Sequence, residues 1–291
     1  MTTDSREIAP ASEPGVAAAV LASPQWLEAH LDDPAVRIVE VDVSPVRHDE
    51  HHIPGAVLWN VYTDLKDGDY RLADGAAVER LLCRSGISPD STVVFYGYAP
   101  AMGFWLMKLY GHRDARILNC SREAWFDGGH PASSSAHATA PADYELGDAD
   151  ARLRATHQAV AAAIGRAGTT IVDVRSELEY VGERFWPSGG LEPNGRAGHV
   201  PTAIRQPVED VYGSDGAFLS ADEIRDVFSA IDLGGTDELI TYCTIGGRAC
   251  TAWFVLTYLL GRDSVRVYDG SWAEWGLMAD APVEQGSPAA G

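Results

Sequence analysis

Short runs of β-branched and aromatic residues alternate along the chain with segments of helical length. The runs typical of buried strands lie at residues 36–43, 92–96, 115–118, 169–174 and 238–242. The segments typical of helices lie at residues 24–31, 76–83, 103–110, 222–231 and 249–260. This alternation predicts an α/β fold in which small, mostly parallel sheets carry helices on both faces.

The second half of the pattern repeats the first. Gly261 follows Gly111 by 150 residues, and Trp275 follows Trp125 by the same interval. Strand runs and turns recur in the same order between these landmarks. A repeat with a period of about half the chain predicts two tandem domains and not a solenoid.

Composition indicates where these domains begin and end. Residues 128–142 are rich in Gly, Ser, Pro and Ala, which is typical of a linker. We therefore expect a flexible lead-in at 1–22, a first domain at 23–127, a linker at 128–155 and a second domain at 156–291.

The charge balance restricts the partners. With 42 acidic and 22 basic residues, the 291-residue chain has a net charge of −20 at pH 7. Such a surface repels nucleic acid and anionic membranes, so we expect neither as a partner. It also repels small anions at long range, so an anion site must be a local pocket of arginine side chains and backbone N–H groups. The sequence predicts no particular oligomeric state.

The cysteine pattern indicates neither a disulfide framework nor a metal site. The four cysteines are scattered and include no Cys-x2-Cys pair. No apolar run approaches the ~18 residues of a membrane span, and the apolar residues 16–22 have no basic segment before them. Together with the free thiols, these features predict a cytoplasmic protein.

A tight turn between the strand run at 238–242 and the helical segment at 249–260 carries the candidate chemistry. It holds Cys243, a glycine pair and Arg248. Glycines let the backbone curl so that several N–H groups point at one spot, which attracts an anion. The simplest anion is the thiolate of Cys243 itself, and we expect a lowered pKa for this thiol. A buried structural thiol is the alternative.

Two stretches of the second copy carry a family resemblance. Tyr242 to Arg248 reads Tyr-Cys-Thr-Ile-Gly-Gly-Arg, and Tyr268 to Trp275 reads Tyr-Asp-Gly-Ser-Trp-Ala-Glu-Trp. Together they resemble the active half of a two-domain rhodanese (thiosulfate sulfurtransferase), and the resemblance extends over nearly the whole chain outside residues 1–20 and the linker. It implies tandem rhodanese-like domains and a catalytic Cys243 that carries a persulfide. The residues that the resemblance places around that persulfide are Thr244, Ile245, Gly246, Gly247 and Arg248.

The length of the loop distinguishes the rhodanese resemblance from a phosphatase. Phosphatases built on a similar loop have Cys-x5-Arg, whereas four residues stand between Cys243 and Arg248. The first copy has neither arrangement, because Tyr96 to Met102 reads Tyr-Gly-Tyr-Ala-Pro-Ala-Met. It lacks the cysteine, the glycine pair and the arginine, and Pro100 has no N–H for an anion. We therefore expect the first domain to be without catalytic chemistry and to wall one side of the pocket.

Two further positions bear on substrate binding. The resemblance implies a substrate-binding arginine at Arg175, although an ion pair with Asp173 or Glu177 is an equal alternative. Some family members carry an arginine where this chain has Glu179, so the anion contacts differ here. Cys250 follows Cys243 by two helical turns and is either a buried thiol or a resolving thiol.

The reaction implied by the resemblance is a double displacement. Cys243 takes the outer sulfur of thiosulfate, sulfite leaves, and cyanide or a thiol accepts the sulfur from the persulfide. No metal or organic cofactor is implied. Two alternatives stay open: 3-mercaptopyruvate as the donor, for which relatives have a Cys-Gly-[Ser/Ala]-Gly-Val loop unlike this one, and a non-enzymatic persulfide carrier or regulatory module.

Overall fold

The structure is a computed structural model that describes residues 19–135, 139–190 and 192–286. Most of the expected lead-in at 1–22 lies outside these ranges, as do three residues of the expected linker and the last five residues of the chain.

Two sheets of five strands each form the centre of the structure. The strands are β1 (Leu21–Ala22), β2 (Val36–Asp42), β3 (Val57–Asn60), β4 (Thr92–Gly97), β5 (Ala115–Leu118), β6 (Arg154–Ala155), β7 (Thr169–Asp173), β8 (Ile204–Arg205), β9 (Glu238–Tyr242) and β10 (Val265–Tyr268). All neighbouring strands pair in parallel. The sheet orders are β1-β5-β4-β2-β3 and β6-β10-β9-β7-β8, which are the same order in the two halves. The predicted α/β fold with tandem, similar domains is confirmed.

Helices connect the strands, as parallel pairing requires. They are α1 (Pro24–Ala29), α2 (Val46–Glu50), α3 (Gly75–Arg84), α4 (Pro100–Leu109), α5 (Arg122–Asp127), α6 (His157–Ala163), α7 (Glu177–Tyr180), α8 (Ala221–Val227), α9 (Gly247–Phe254) and α10 (Ser271–Trp275). A 3₁₀ turn (Glu209–Val211) precedes α8, and a π-helical turn (Val255–Leu259) continues α9.

Polar side chains begin several of these helices. Ser23 accepts a hydrogen bond from the N–H of Trp26 at the start of α1, and Asp74 accepts one from Ala77 at the start of α3. Ser220 and Glu223 form a reciprocal capping box at the start of α8. These caps satisfy backbone N–H groups that have no partner within the helix.

The five predicted helices all have different ends in the structure, and the differences are largest in three of them. The helix expected at 103–110 begins at Pro100, because proline suits the first helical position. The helix expected at 222–231 ends at Val227, after which the N–H groups of Ser229 and Ile231 bond three residues back instead of four. The segment expected at 249–260 is α-helical only to Phe254 and is π-helical beyond it.

The two halves share one apolar core. α4 of the first half packs against α9 of the second, and the ring of Phe104 lies 5.0 Å from that of Phe254 and 6.1 Å from that of Trp253 between centroids. All three side chains are fully buried. This contact holds α9, the helix that the cysteine turn begins, against the first half.

Candidate active site

The cysteine turn stands at the carboxyl end of β9, where parallel sheets bind ligands. Cys243 follows the strand directly, and α9 begins four residues later at Gly247. Gly246 has a φ of +95°, in the left-handed region that favours glycine, and its N–H donates to Sγ of Cys243 with an N···S distance of 3.1 Å. The turn therefore directs a backbone donor at the sulfur, a contact that stabilises negative charge there.

The start of α10 fixes the backbone of this turn. The N–H of Cys243 donates to Oγ of Ser271 (3.1 Å), and the N–H of Trp272 donates to the carbonyl of Cys243 (2.9 Å). The N–H of Ala273 donates to the carbonyl of Thr244 (2.9 Å). The downstream stretch that contributed to the family resemblance thus has a structural task, which is to hold the cysteine turn.

Arg248 is held by Glu179. Its guanidinium donates to both carboxylate oxygens, at 2.7 and 3.0 Å, and to Oγ1 of Thr244 at 2.8 Å. Thr244 in turn donates to Glu179 at 2.6 Å. Burial alone would raise the pKa of Glu179, but the hydrogen bonds and the charge of Arg248, with help from Thr244 and Ser176, lower that pKa to about 2. The pair is ionised at neutral pH.

This pair makes the stability of the fold depend on pH. The pKa of Glu179 in the folded protein lies below its ordinary value of 4.5. The contribution of Glu179 to the free energy of unfolding is therefore complete above about pH 4.5 and is lost as the pH falls towards 2. We expect Glu179→Gln to lower the free energy of unfolding by roughly 3 kcal/mol at pH 7, and this deficit to shrink by about half at pH 3. Urea unfolding at pH 7, 5 and 3 measures it.

The matched control is Glu177→Gln, an exposed carboxylate on the same short helix. It should change the unfolding free energy by less than about 0.5 kcal/mol at each pH. A Glu179→Gln deficit that stays constant from pH 7 to pH 3 would contradict the ionised pair.

Arg175 forms an ion pair with Asp173. Its guanidinium is fully buried, donates to Asp173 at 2.6 and 2.9 Å and to the carbonyl of Gly198 at 2.7 Å, and lies over the ring of Trp272. It does not line the cavity above the cysteine turn. The structure therefore brings Arg248, but not Arg175, to the lining of the cavity above Cys243, and it shows the ion pair of Arg175 with Asp173.

The first half supplies a buried lysine beneath the turn. Nζ of Lys66 donates to the carbonyl of Asp269 at 2.7 Å, and a Cβ placed on Gly246 would lie 3.3 Å from the same Nζ. Burial lowers the pKa of Lys66, against the opposing charges of Asp269, Cys250 and Cys243. Nothing in the sequence indicated this residue, because it belongs to the copy without the motif and reaches the turn only through domain packing.

Cys250 lies on α9 in the apolar core and is fully buried. Burial raises the pKa of its thiol well above the ordinary value. Because the thiolate is the attacking form, this environment does not favour a resolving role for Cys250.

A cavity of about 520 Å³ opens above the cysteine turn, between the two halves. Its floor includes Cys243, Thr244, Ile245, Gly247 and Arg248. The first half contributes Val43, Tyr62, Tyr70, Tyr98 and Ala99, and the remaining wall includes Trp186, Pro187, Val208, Glu209 and Tyr212. The first copy thus lines one side of the pocket, and Tyr98 and Ala99 come from its counterpart of the cysteine turn.

The residues that the structure describes contain no group of three or more His, Cys, Asp or Glu side chains placed to hold a metal ion. Within the same residues, no helix has both the length and the apolar character that crossing a membrane requires.

With fold and site established, the chain can be assigned to a family. The sequence profile of the rhodanese-like domain matches residues 23–127 and again 156–277, so the chain belongs to the rhodanese sulfurtransferase family. A protein of Haloferax volcanii with the provisional name thiosulfate sulfurtransferase is 40% identical over 278 residues, which cover 92% of this chain and 97% of the relative. The sulfur carrier protein TtuD of Thermus thermophilus is 37% identical over 276 residues, with coverage of 92% and 97%.

Solved structures share the architecture at lower identity. The anaerobic ergothioneine biosynthesis enzyme of Chlorobium limicola, determined in complex with trimethyl histidine, matches with a TM-score of 0.81. The match covers 94% of this chain and 71% of that chain at 22% identity, which shows a common fold.

Proposed function

We propose that this protein moves sulfane sulfur from thiosulfate to a thiophilic acceptor, cyanide or a thiol, through a persulfide on Cys243. The observation that carries the proposal is the N–H of Gly246 on Sγ of Cys243, at 3.1 Å, on the floor of a cavity that opens between the domains. The names of the relatives from Haloferax and Thermus support sulfur handling as the chemistry.

Over a complete cycle the reaction leaves the oxidation state of the protein unchanged, because the donor supplies the sulfane sulfur that the acceptor removes. Sγ of Cys243, as a thiolate, attacks the outer sulfur of thiosulfate, the sulfur–sulfur bond of the donor breaks, and its electron pair leaves with sulfite. The acceptor then attacks the outer sulfur of the persulfide, and the electron pair of the broken bond returns to Sγ. We propose that backbone N–H groups from Thr244 to Arg248 stabilise the charge on both sulfurs, as an oxyanion hole does for oxygen.

Arg248 and Arg175 have different tasks in this proposal. Arg248 reaches the cavity and meets the sulfonate end of the donor with the part of its guanidinium that Glu179 leaves open, whereas Arg175 positions the strand end through Asp173. We also propose that the domain at 23–127 has no catalysis of its own, that the domain at 156–291 holds the active site, and that the protein acts in the cytoplasm.

Mass spectrometry tests the proposal directly. Incubation with thiosulfate should add one sulfur atom to the intact protein, and cyanide should remove it and yield thiocyanate. Steady-state rates with 3-mercaptopyruvate, measured side by side, should be lower, and an aryl phosphate should not turn over. No gain in mass from thiosulfate, or phosphatase activity, would overturn the proposal.

A sulfur carrier is the second candidate function, favoured by the similarity to the carrier of Thermus. A carrier would gain the sulfur from thiosulfate but release it to cyanide no faster than a small-molecule persulfide does. Fast release to cyanide would support the enzyme.

A further inference from the structure

The cavity is much larger than the inorganic reactants require. Its volume of about 520 Å³ falls in the range of sites for small organic molecules, which span about 300 to 1,000 Å³. Thiosulfate or cyanide would occupy only the floor next to Cys243. The rest of the space therefore needs another explanation.

Aromatic rings from both domains wall this space. Tyr62, Tyr70 and Tyr98 come from the first half, and Trp186 and Tyr212 come from the second. Tyr98 is 57% exposed and Tyr62 is 42% exposed, although both are large aromatic residues. The rings of Tyr70 and Trp186 lie 5.7 Å apart. Exposed rings gathered around a cavity favour a ligand with a flat, apolar body.

The charge of the cavity disfavours an anion in that space. Among the described residues, Arg248 is the one cationic side chain in the lining; Glu179 already neutralises it, and Glu209 lies 3.4 Å from Nη1, one of the two nitrogens that Glu179 binds. Arg248 contacts Oε1 of Glu209, and the Glu209 side chain is 58% exposed, so its carboxylate also faces the space that a second cation would occupy. With a negatively charged sulfur on Cys243, the site carries a net negative charge.

The surroundings of Tyr98 agree with this balance. Burial is the largest cause of its raised pKa, and Arg248 opposes the rise. The negative charges of Cys243, Glu179 and Asp42 add to the rise. The Tyr98 hydroxyl therefore stays protonated at neutral pH, and its half-exposed ring offers an uncharged aromatic face to a ligand in the cavity.

We infer that the physiological acceptor is an organic thiol with a flat, apolar body and a neutral or positively charged group, bound between the tyrosines of the first domain and Glu209. The inference rests on the proposed function. The acceptor thiol, as RSH, attacks the outer sulfur of the Cys243 persulfide. The bond between Sγ and the outer sulfur breaks, and RSSH forms. The proton that the acceptor thiol loses is taken up by Sγ of Cys243.

Matched aromatic thiols test the charge preference. The persulfide form of the wild type is mixed with 4-mercaptobenzylamine or with 4-mercaptophenylacetate, which share a ring and differ in charge. Each rate of discharge is divided by the rate of the same thiol with glutathione persulfide, which removes intrinsic nucleophilicity. We expect the amine to exceed the acid at least tenfold, and to exceed cysteamine, which has no ring, at least tenfold.

Variants test which residues cause the preference for an aromatic, positively charged thiol. Tyr98→Ala should reduce discharge by the aromatic amine about tenfold more than it reduces discharge by cysteamine. Glu209→Gln should bring the amine and the acid closer together. Val46→Ala, at an exposed apolar residue outside the cavity, is the control and should change neither ratio. Discharge that follows intrinsic nucleophilicity alone, or that favours the acid, would overturn the inference.

A second measurement does not depend on the persulfide. 4-Methylbenzylamine, which has no thiol, should protect Cys243 from iodoacetamide in the untreated protein, and 4-methylbenzoate should not. Equal protection by both, or none by the amine, would overturn the inference even where thiosulfate loads the protein normally. Protection by the amine without loading by thiosulfate would instead support this site and refute the proposed donor.

Discussion

Cys243→Ser is expected to abolish both the gain of sulfur from thiosulfate and the transfer to cyanide, by at least about a thousandfold. A serine hydroxyl at this position keeps the shape of the turn but is a far weaker nucleophile at neutral pH, and it cannot form a persulfide. The contact from the N–H of Gly246 remains available to the hydroxyl, so the fold should be preserved. Intact mass after thiosulfate treatment and the rate of thiocyanate formation measure the loss.

The other cysteines provide matched controls. Cys83→Ser and Cys120→Ser change partly buried thiols outside the cavity, and Cys250→Ala removes the buried thiol on α9 without placing a hydroxyl in the core. Each should keep most of the wild-type rate. If Cys243→Ser retained more than a few per cent of turnover, the assignment of the nucleophile would fail.

Gly246→Ala should reduce sulfur transfer about a hundredfold. The φ of +95° at this position is unfavourable for any residue with a Cβ, and the new Cβ would lie 2.8 Å from the carbonyl oxygen of Asp269. Relief of this contact has to move the turn, and with it the N–H that points at Sγ of Cys243. A displacement of about 1 Å in a catalytic group can cost about a hundredfold in rate. Persulfide formation and thiocyanate production measure the effect.

Gly111→Ala is the control that distinguishes the effect of moving the cysteine turn from the effect of backbone strain alone. Gly111 has a φ of +75°, and a Cβ there would meet no atom within 4 Å. Its alanine variant should therefore lose about 1 kcal/mol of stability but keep its rate of sulfur transfer. Equal rates for the two alanine variants would mean that the geometry at Gly246 does not govern transfer.

The sequence indicated the residues of the cysteine turn better than it indicated the residues that surround the turn. Cys243, the glycine pair and Arg248 are adjacent in the chain, so their spacing alone indicates a donor loop at a strand end, and β9 and α9 flank it as expected. Their catalytic roles stay predictions. The internal repeat also predicted that the two halves fold alike, and the two sheets have the same strand order.

The contributions of the first half could not be predicted in the same way. Lys66, Tyr62 and Tyr70 lie far from the motif in sequence and reach the site only because α4 packs on α9. The choice between substrate and Asp173 as the partner of Arg175 depends on burial, which spacing does not reveal. Glu179 did carry a signal, since the family resemblance implies an arginine at this position in some members, and the structure pairs Glu179 with Arg248.

The shared core has a consequence for how this duplicated chain can evolve. At its counterpart of the cysteine turn the first copy has Tyr98 and Ala99, which line the cavity instead of carrying a thiol, and its Phe104 packs against α9. A substitution in the first copy can therefore alter the second through the packing on α9 or through the shape of the cavity wall. The halves of two relatives are therefore not interchangeable. A second half joined to the first half of another relative would pack against a different surface close to Cys243.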